Sequence, residues 1–163
     1  MNNPTKHPFR QIFRLFVFAI LFTLVTPKLS VAQTVNPNQP VFNHAALCAK
    51  NLKKTADFYR NVIQLQEIKH PFNDTVHVWL KIGNGLALHI IQGDCSGTVH
   101  DIGIHLCFAV PNLDVFIKHL DDMKLTYYNW GKQEKKIQLR ADGVKQIYLQ
   151  DPDGIWVEIN DAK

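Results

Sequence analysis

One short pattern occurs twice in this chain, and such a chain folds most simply as two copies of one supersecondary unit packed together. Sliding the 163-residue sequence by 61 positions lays His44 on His105, Asn51 on Asn112 and Leu52 on Leu113. A slide of 69 lays Gly85 on Gly154 and His89 on Glu158, with Leu86, Leu88 and Ile90 falling on Ile155, Val157 and Ile159. In the first half a strand over 41–49 leads to a helix capped by Asn51 and carrying Leu52, Ala56, Tyr59, Val62 and Ile63 on one stripe. Strands follow over 64–70, 76–82 and 86–91, the last two joined through Gly83-Asn84-Gly85. The second half repeats the order: a strand over 102–110, a helix from Asn112 to about Met123, then strands over 126–130, 145–150 and 155–160, with Asp153-Gly154 as the last turn. The predicted fold is α+β, two tandem βαβββ modules over about 41–91 and 102–160 forming a cupped mixed sheet with helices on its outer face.

The N-terminal segment reads as an address. Lys6, Arg10 and Arg14 precede the apolar run 15–25, and Ser30-Val31-Ala32 supplies small residues for cleavage. That run of 11 residues falls short of the roughly 20 needed to span a bilayer core. Residues 1–32 are therefore expected to be a secretory signal peptide, 33–40 a disordered linker and 41–163 the folded domain, in the periplasm or secreted, with no stable membrane anchor after cleavage. The formal charge of +4 belongs to this leader: beyond Lys6, Arg10, Arg14 and Lys28, 14 basic side chains face 14 acidic ones. A nucleic-acid partner has no basic stripe to bind. Three cysteines allow at most one bridge; Cys48 and Cys107, inside apolar runs, read as buried small hydrophobes. The basic run from Gly131 to Gly143, with Lys132, Lys135, Lys136 and Arg140, reads as an irregular solvated surface, a lid over an anionic substrate being the other reading.

Strand alternation sorts the remaining chemistry. Ile104, Leu106 and Phe108 share one face, His105 and Cys107 the other; Val157 and Ile159 oppose Trp156, Glu158 and Asn160; Leu88 and Ile90 oppose His89. On the same parity His44 lies with Ala46 and Cys48, and His77, Trp79 and Lys81, like Gln146, Tyr148 and Gln150, point away from the helices. A buried lone carboxylate such as Glu158 carries a large desolvation penalty unless paired or bound to a cation. His44, His89 and His105 at repeat-equivalent places supply the partners for one divalent ion, with zinc, nickel, cobalt, manganese and iron(II) all compatible. His70, His100 and His119 read as ordinary surface or loop histidines. Trp79, Lys81, Tyr148, Gln150 and Trp156 are the expected pocket residues.

At these residues the sequence resembles the vicinal oxygen chelate superfamily of glyoxalases, bleomycin-resistance proteins, epimerases and extradiol dioxygenases. The carriers are Asn43-His44, Asp57-Phe58-Tyr59-Arg60, Leu86-Ala87-Leu88-His89, His105 and the closing Asp151-Pro152-Asp153-Gly154-Ile155-Trp156-Val157-Glu158. The resemblance implies metal ligands at His44, His89, His105 and Glu158, with Glu158 also the catalytic base. It implies too that the ligands come from one chain or are shared across a homodimer. The implied activity is a metal-dependent, glyoxalase-like lyase or isomerase acting on a small substrate with vicinal oxygens through an enediolate. His89 stands where glyoxalase I enzymes usually carry glutamate, which leaves one carboxylate base fewer. A non-catalytic binder of the bleomycin-resistance type is the alternative; a ring-cleaving dioxygenase ranks below both.

Overall fold

The computed structural model describes residues 38–163, and residues 40–163 form one compact unit. The expected leader and most of the linker lie outside the described residues. Among the described residues no helix is long and apolar enough to cross a membrane.

Each half builds a four-stranded sheet with the same internal order. In the first, β1 (His44–Ala49), β2 (Glu67–Ile68), β3 (His77–Gly83) and β4 (Leu86–Gln92) stand in the order β1-β4-β3-β2, with α1 (Leu52–Asn61) between β1 and β2. In the second, β5 (His105–Ala109), β6 (Gln138–Leu139), β7 (Lys145–Gln150) and β8 (Trp156–Asn160) stand as β5-β8-β7-β6, with α2 (Leu113–Asp122) after β5. Among the described residues only β1–β4 and β5–β8 are parallel pairs. The registers match as well: His44 sits opposite Ala87, two residues before His89, and His105 sits opposite Trp156, two residues before Glu158.

Both helices start where an asparagine satisfies a free amide. Asn51 Oδ1 accepts from Lys54 N at 3.0 Å and Asn112 Oδ1 from Val115 N at 3.1 Å. α1 buries Ala56, Phe58 and Tyr59, and α2 buries Leu113, Phe116 and Leu120. These side chains join Leu88, Ile90, Ile147, Val157 and Ile159 in one apolar core that draws on both halves. The alternation read from the strands is therefore realised except at Ile104, which precedes β5 and is exposed, and the polar partners of the core residues lie on the opposite faces.

Polar contacts tie the halves together at the β7–β8 turn. Thr55 Oγ1 donates to Asp153, Tyr59 OH donates to Asp151 Oδ2 at 3.1 Å, and Lys50 N donates to Asp153 Oδ1 at 2.9 Å. Asp151 also accepts from the amides of Asp153 and Ile155 at 2.9 and 2.8 Å. Burial nonetheless raises its pKa above the ordinary value. Gly154 has φ of 86°, and a Cβ there would lie 2.7 Å from His100 Nδ1, so both backbone and space demand glycine.

Several expected elements differ. The strand expected over 126–130 shrinks to single bridges from Tyr128 to Glu134 and Tyr148, and the fourth strand of that sheet is Gln138–Leu139. The strand expected over 64–70 keeps only Glu67–Ile68. Edge strands with one partner gain few ladder bonds, so propensity alone does not hold them extended. Cys48 is not a free apolar side chain: it is bonded to Cys95, 47 residues on, clipping the connection between the halves to β1. Cys107 is exposed rather than buried, because β5 is an edge strand paired only with β8.

Candidate functional site

The second half presents one carboxylate with five polar groups around it. Glu158 Oε2 accepts from Tyr148 OH at 2.7 Å and lies 3.2 Å from His105 Nε2; Oε1 accepts from Asn160 Nδ2 at 2.8 Å and Cys107 Sγ at 3.3 Å. Arg140 Nη1 stands 4.0 Å from Oε1. Burial alone would raise the Glu158 pKa, yet the bonds from Tyr148, Asn160 and Cys107, with the nearby His105, leave it below its ordinary value. The carboxyl is therefore ionised at neutral pH. Although the Cys107 residue is exposed, its sulfur is partly desolvated beside Glu158, and that desolvation with the carboxylate pushes the thiol up to about 12; burial and Glu158 push the Tyr148 phenol well above its usual range, so both stay protonated and donate.

His105 adds a constraint of its own. Its Nδ1 lies 2.8 Å from the Ile102 carbonyl oxygen, which can only accept, so Nδ1 carries the proton. In the neutral ring Nε2 is then a lone pair facing an anionic oxygen across 3.2 Å. Two acceptors at that distance need a proton or a cation between them. The Ile102 carbonyl thus fixes the ring's orientation and tautomer.

The first half gathers imidazoles and aromatic rings. The His89 ring lies 6.1 Å from His44, 5.0 Å from His77 and 4.5 Å from Trp79. His89 is buried, and its Nε2 has no hydrogen-bond partner. Burial, followed by the neighbouring histidines 77, 44 and 70, lowers its pKa and keeps the ring neutral. His44 Nδ1 is engaged by Asn43 Oδ1 at 2.8 Å and His77 Nδ1 by Asp74 at 2.8 Å.

The four residues expected to bind one ion thus stand as two pairs, His44 with His89 and His105 with Glu158. Among the described residues no group of three or more His, Cys, Asp or Glu side chains is placed to hold a metal ion. The donor chemistry of each pair suits a divalent cation: a buried imidazole nitrogen without a partner in one, and facing acceptors in the other.

The expected pocket residues separate in the same way. Trp79 and Lys81 line a cavity of about 350 Å³ with Asn43 and Ala87. Tyr148 sits at the carboxylate, held by Gln146 Nε2 at 2.7 Å, and Trp156 packs with Ile102 and Tyr148 while donating to the His100 carbonyl. Gln150 lies apart, exposed and bonded to Gly154 O in the turn. A second cavity, about 410 Å³ and mostly apolar, opens beside His105 and is walled by Leu47, Cys48, Val99, Ile104 and Ile155. Sequence reasoning missed Cys107, Asn160 and Arg140 as partners of Glu158. Strand parity had put Cys107 and Asn160 on its face, whereas Arg140 arrives from a loop with no periodicity to read.

A sequence model of the glyoxalase/bleomycin resistance protein/dioxygenase superfamily matches residues 41–159. The chain belongs to that superfamily. Its two similarly ordered sheets agree with the fold of solved members. The chain is 25% identical over 137 residues to human mitochondrial methylmalonyl-CoA epimerase, covering 74% of this chain and 73% of that protein. A protein described as of the glyoxalase family from Bacillus anthracis superposes with a TM-score of 0.62 at 20% identity, over 78% of this chain and 99% of its own. A lactoylglutathione lyase from Agrobacterium tumefaciens gives 0.56 at 20% identity, over 77% and 95%. These relatives carry enzyme names of more than one reaction kind.

Proposed function

We propose that this protein is an exported, metal-dependent lyase or isomerase that moves a proton on a small substrate with vicinal oxygens. The observation that carries the reading is the facing pair of His105 Nε2 and Glu158 Oε2, 3.2 Å apart with the proton already on His105 Nδ1. His105 and Glu158 of one copy, with His44 and His89 of a second, would hold the ion across a homodimer. When bound, such an ion polarises the substrate oxygens and acidifies the neighbouring C–H.

The chain's own groups do the rest. Glu158, ionised at neutral pH, accepts the substrate proton and returns it; Tyr148 and Asn160 hold the carboxylate in one orientation. A carboxylate held below its ordinary pKa is a weak base, so it serves a substrate whose proton is already strongly acidified. Trp156, buried against Ile102 and Tyr148, gives the carboxylate side an apolar wall. The Cys48–Cys95 bridge supports an oxidising compartment, the periplasm or the exterior.

The test is solvent exchange. Metal-reconstituted protein in D2O, offered methylglyoxal-thiol adducts, 2-hydroxy ketones and branched 2-oxo acids, is expected to place deuterium on carbon in at least one, and E158Q to lose this by at least 100-fold. A second reading, a binder that only sequesters its ligand, is favoured by one observation: both oxygens of Glu158 are already engaged by protein donors. Saturable binding with no exchange in any compound would select it.

A further inference from the structure

The basic stretch between α2 and β7 is solvent-exposed, as expected, but its backbone is bonded into a built strap. The backbones of Tyr128 and Tyr148 bond to each other in both directions at 2.7 and 2.8 Å. Asn129 and Gln133 pair through backbone and side chains, Lys132 N donates to Asn129 O at 2.9 Å, and Trp130 N donates to Gln138 Oε1 at 3.2 Å. Lys132 and Lys135 adopt left-handed backbone, φ 59° and 54°, a conformation non-glycine residues take only where neighbours hold it.

This strap sorts its four cations. Lys135 is committed to the scaffold: Nζ bonds Asp121 and the Leu125 carbonyl and lies over the Tyr127 ring. Lys136 is exposed. The other two, both exposed, stand beside Trp156 and Glu158. Lys132 Nζ sits 5.7 Å from the centre of the Trp156 ring, and Arg140 Nη1 stands 4.0 Å from Glu158 Oε1, too far for a hydrogen bond. Arg140 Nη2 is engaged by Asp142, which leaves the Nη1 edge of the guanidinium turned toward the site. Trp130, partly exposed, rests its ring 5.8 Å from Tyr148 on the same side.

We infer that Arg140 and Lys132 form the reading head for a carboxylate on the substrate, so that the class acted on is a small organic acid anion rather than a neutral hydroxyketone. With Nη2 held by Asp142, Arg140 Nη1 offers charge-assisted N–H donation to a carboxylate oxygen, and the lysine adds a point charge beside the indole. This inference rests on the site assignment above and adds the substrate class. The competing role for Arg140, neutralising Glu158 alone, predicts a different response to substitution.

The test uses the purified full chain and its tryptophan fluorescence, to which Trp130 and Trp156 beside the site contribute along with Trp79, titrated with malonate and with neutral malonamide at low salt, then again after chelator treatment and desalting. Malonate is expected to bind saturably in both preparations and at least tenfold tighter than malonamide. R140Q should weaken malonate at least tenfold, R140K should recover part of that, K132Q should weaken it severalfold, and K136Q should leave it unchanged. Equal binding of malonate and malonamide overturns the inference. So does malonate binding that survives both R140Q and K132Q, or that vanishes on chelation. If R140Q fails to fold, K132Q against K136Q decides. Intact malonate discrimination without any solvent exchange would count against the enzyme reading and leave this one standing.

Discussion

Replacing Tyr148 by phenylalanine removes one hydroxyl and keeps the ring. That hydroxyl donates to Glu158 Oε2 at 2.7 Å and accepts from Gln146 Nε2 at 2.7 Å, in a residue that is 1% exposed. A hydrogen bond to a charged group contributes about 1.5–3 kcal/mol net, and a buried amide left without its partner costs about 1–3 kcal/mol more. Gln146 Oε1 is already unpartnered, so Y148F strands both ends of that amide. Together Y148F is expected to lose roughly 2.5–6 kcal/mol at pH 7. Glu158 is held below its ordinary pKa in the folded state, so the stability its ionisation contributes is present above the unfolded carboxylate range and lost as pH falls through the folded value. The gap between wild type and Y148F is therefore widest at neutral pH and narrows toward acid. Urea unfolding across that range reads it directly, and adding Q146L should recover part of the loss by removing the stranded amide. An equal loss at all pH values, or one under about 0.5 kcal/mol at pH 7, would refute the assignment of Tyr148 as a donor to an ionised Glu158.

Reducing the Cys48–Cys95 bridge, which spans 47 residues, should cost about 4 kcal/mol if chain entropy dominates, seen as a lower urea midpoint with dithiothreitol. Asn51→Ala and Asn112→Ala each remove a helix cap and should each cost about 1 kcal/mol in the same unfolding assay. Thr55→Val removes the α1 contact to Asp153 and should lower stability by about 1 kcal/mol without changing metal content, measured by unfolding and elemental analysis.

The duplicated pattern made the fold readable because a two-residue strand period and a capped helix leave little freedom once they occur twice. His44 with His89 and His105 with Glu158 were visible as matched positions, since a parallel register places each pair two residues apart on neighbouring strands. What escaped the sequence was set by long-range contact. Nothing local marks Cys95 as the partner of Cys48, or brings Arg140 to Glu158. The strand expected at 126–130 failed because Tyr128 pairs with Tyr148 through backbone at one point, and the following residues close on themselves through Asn129 and Gln133.

Metal content per chain, measured by elemental mass spectrometry on wild type, H89A and H105A after reconstitution, probes whether the two halves serve one centre. One ion in the wild type, lost in both variants, is the predicted result. No bound ion, or an ion that one substitution abolishes and the other leaves in place, would contradict it.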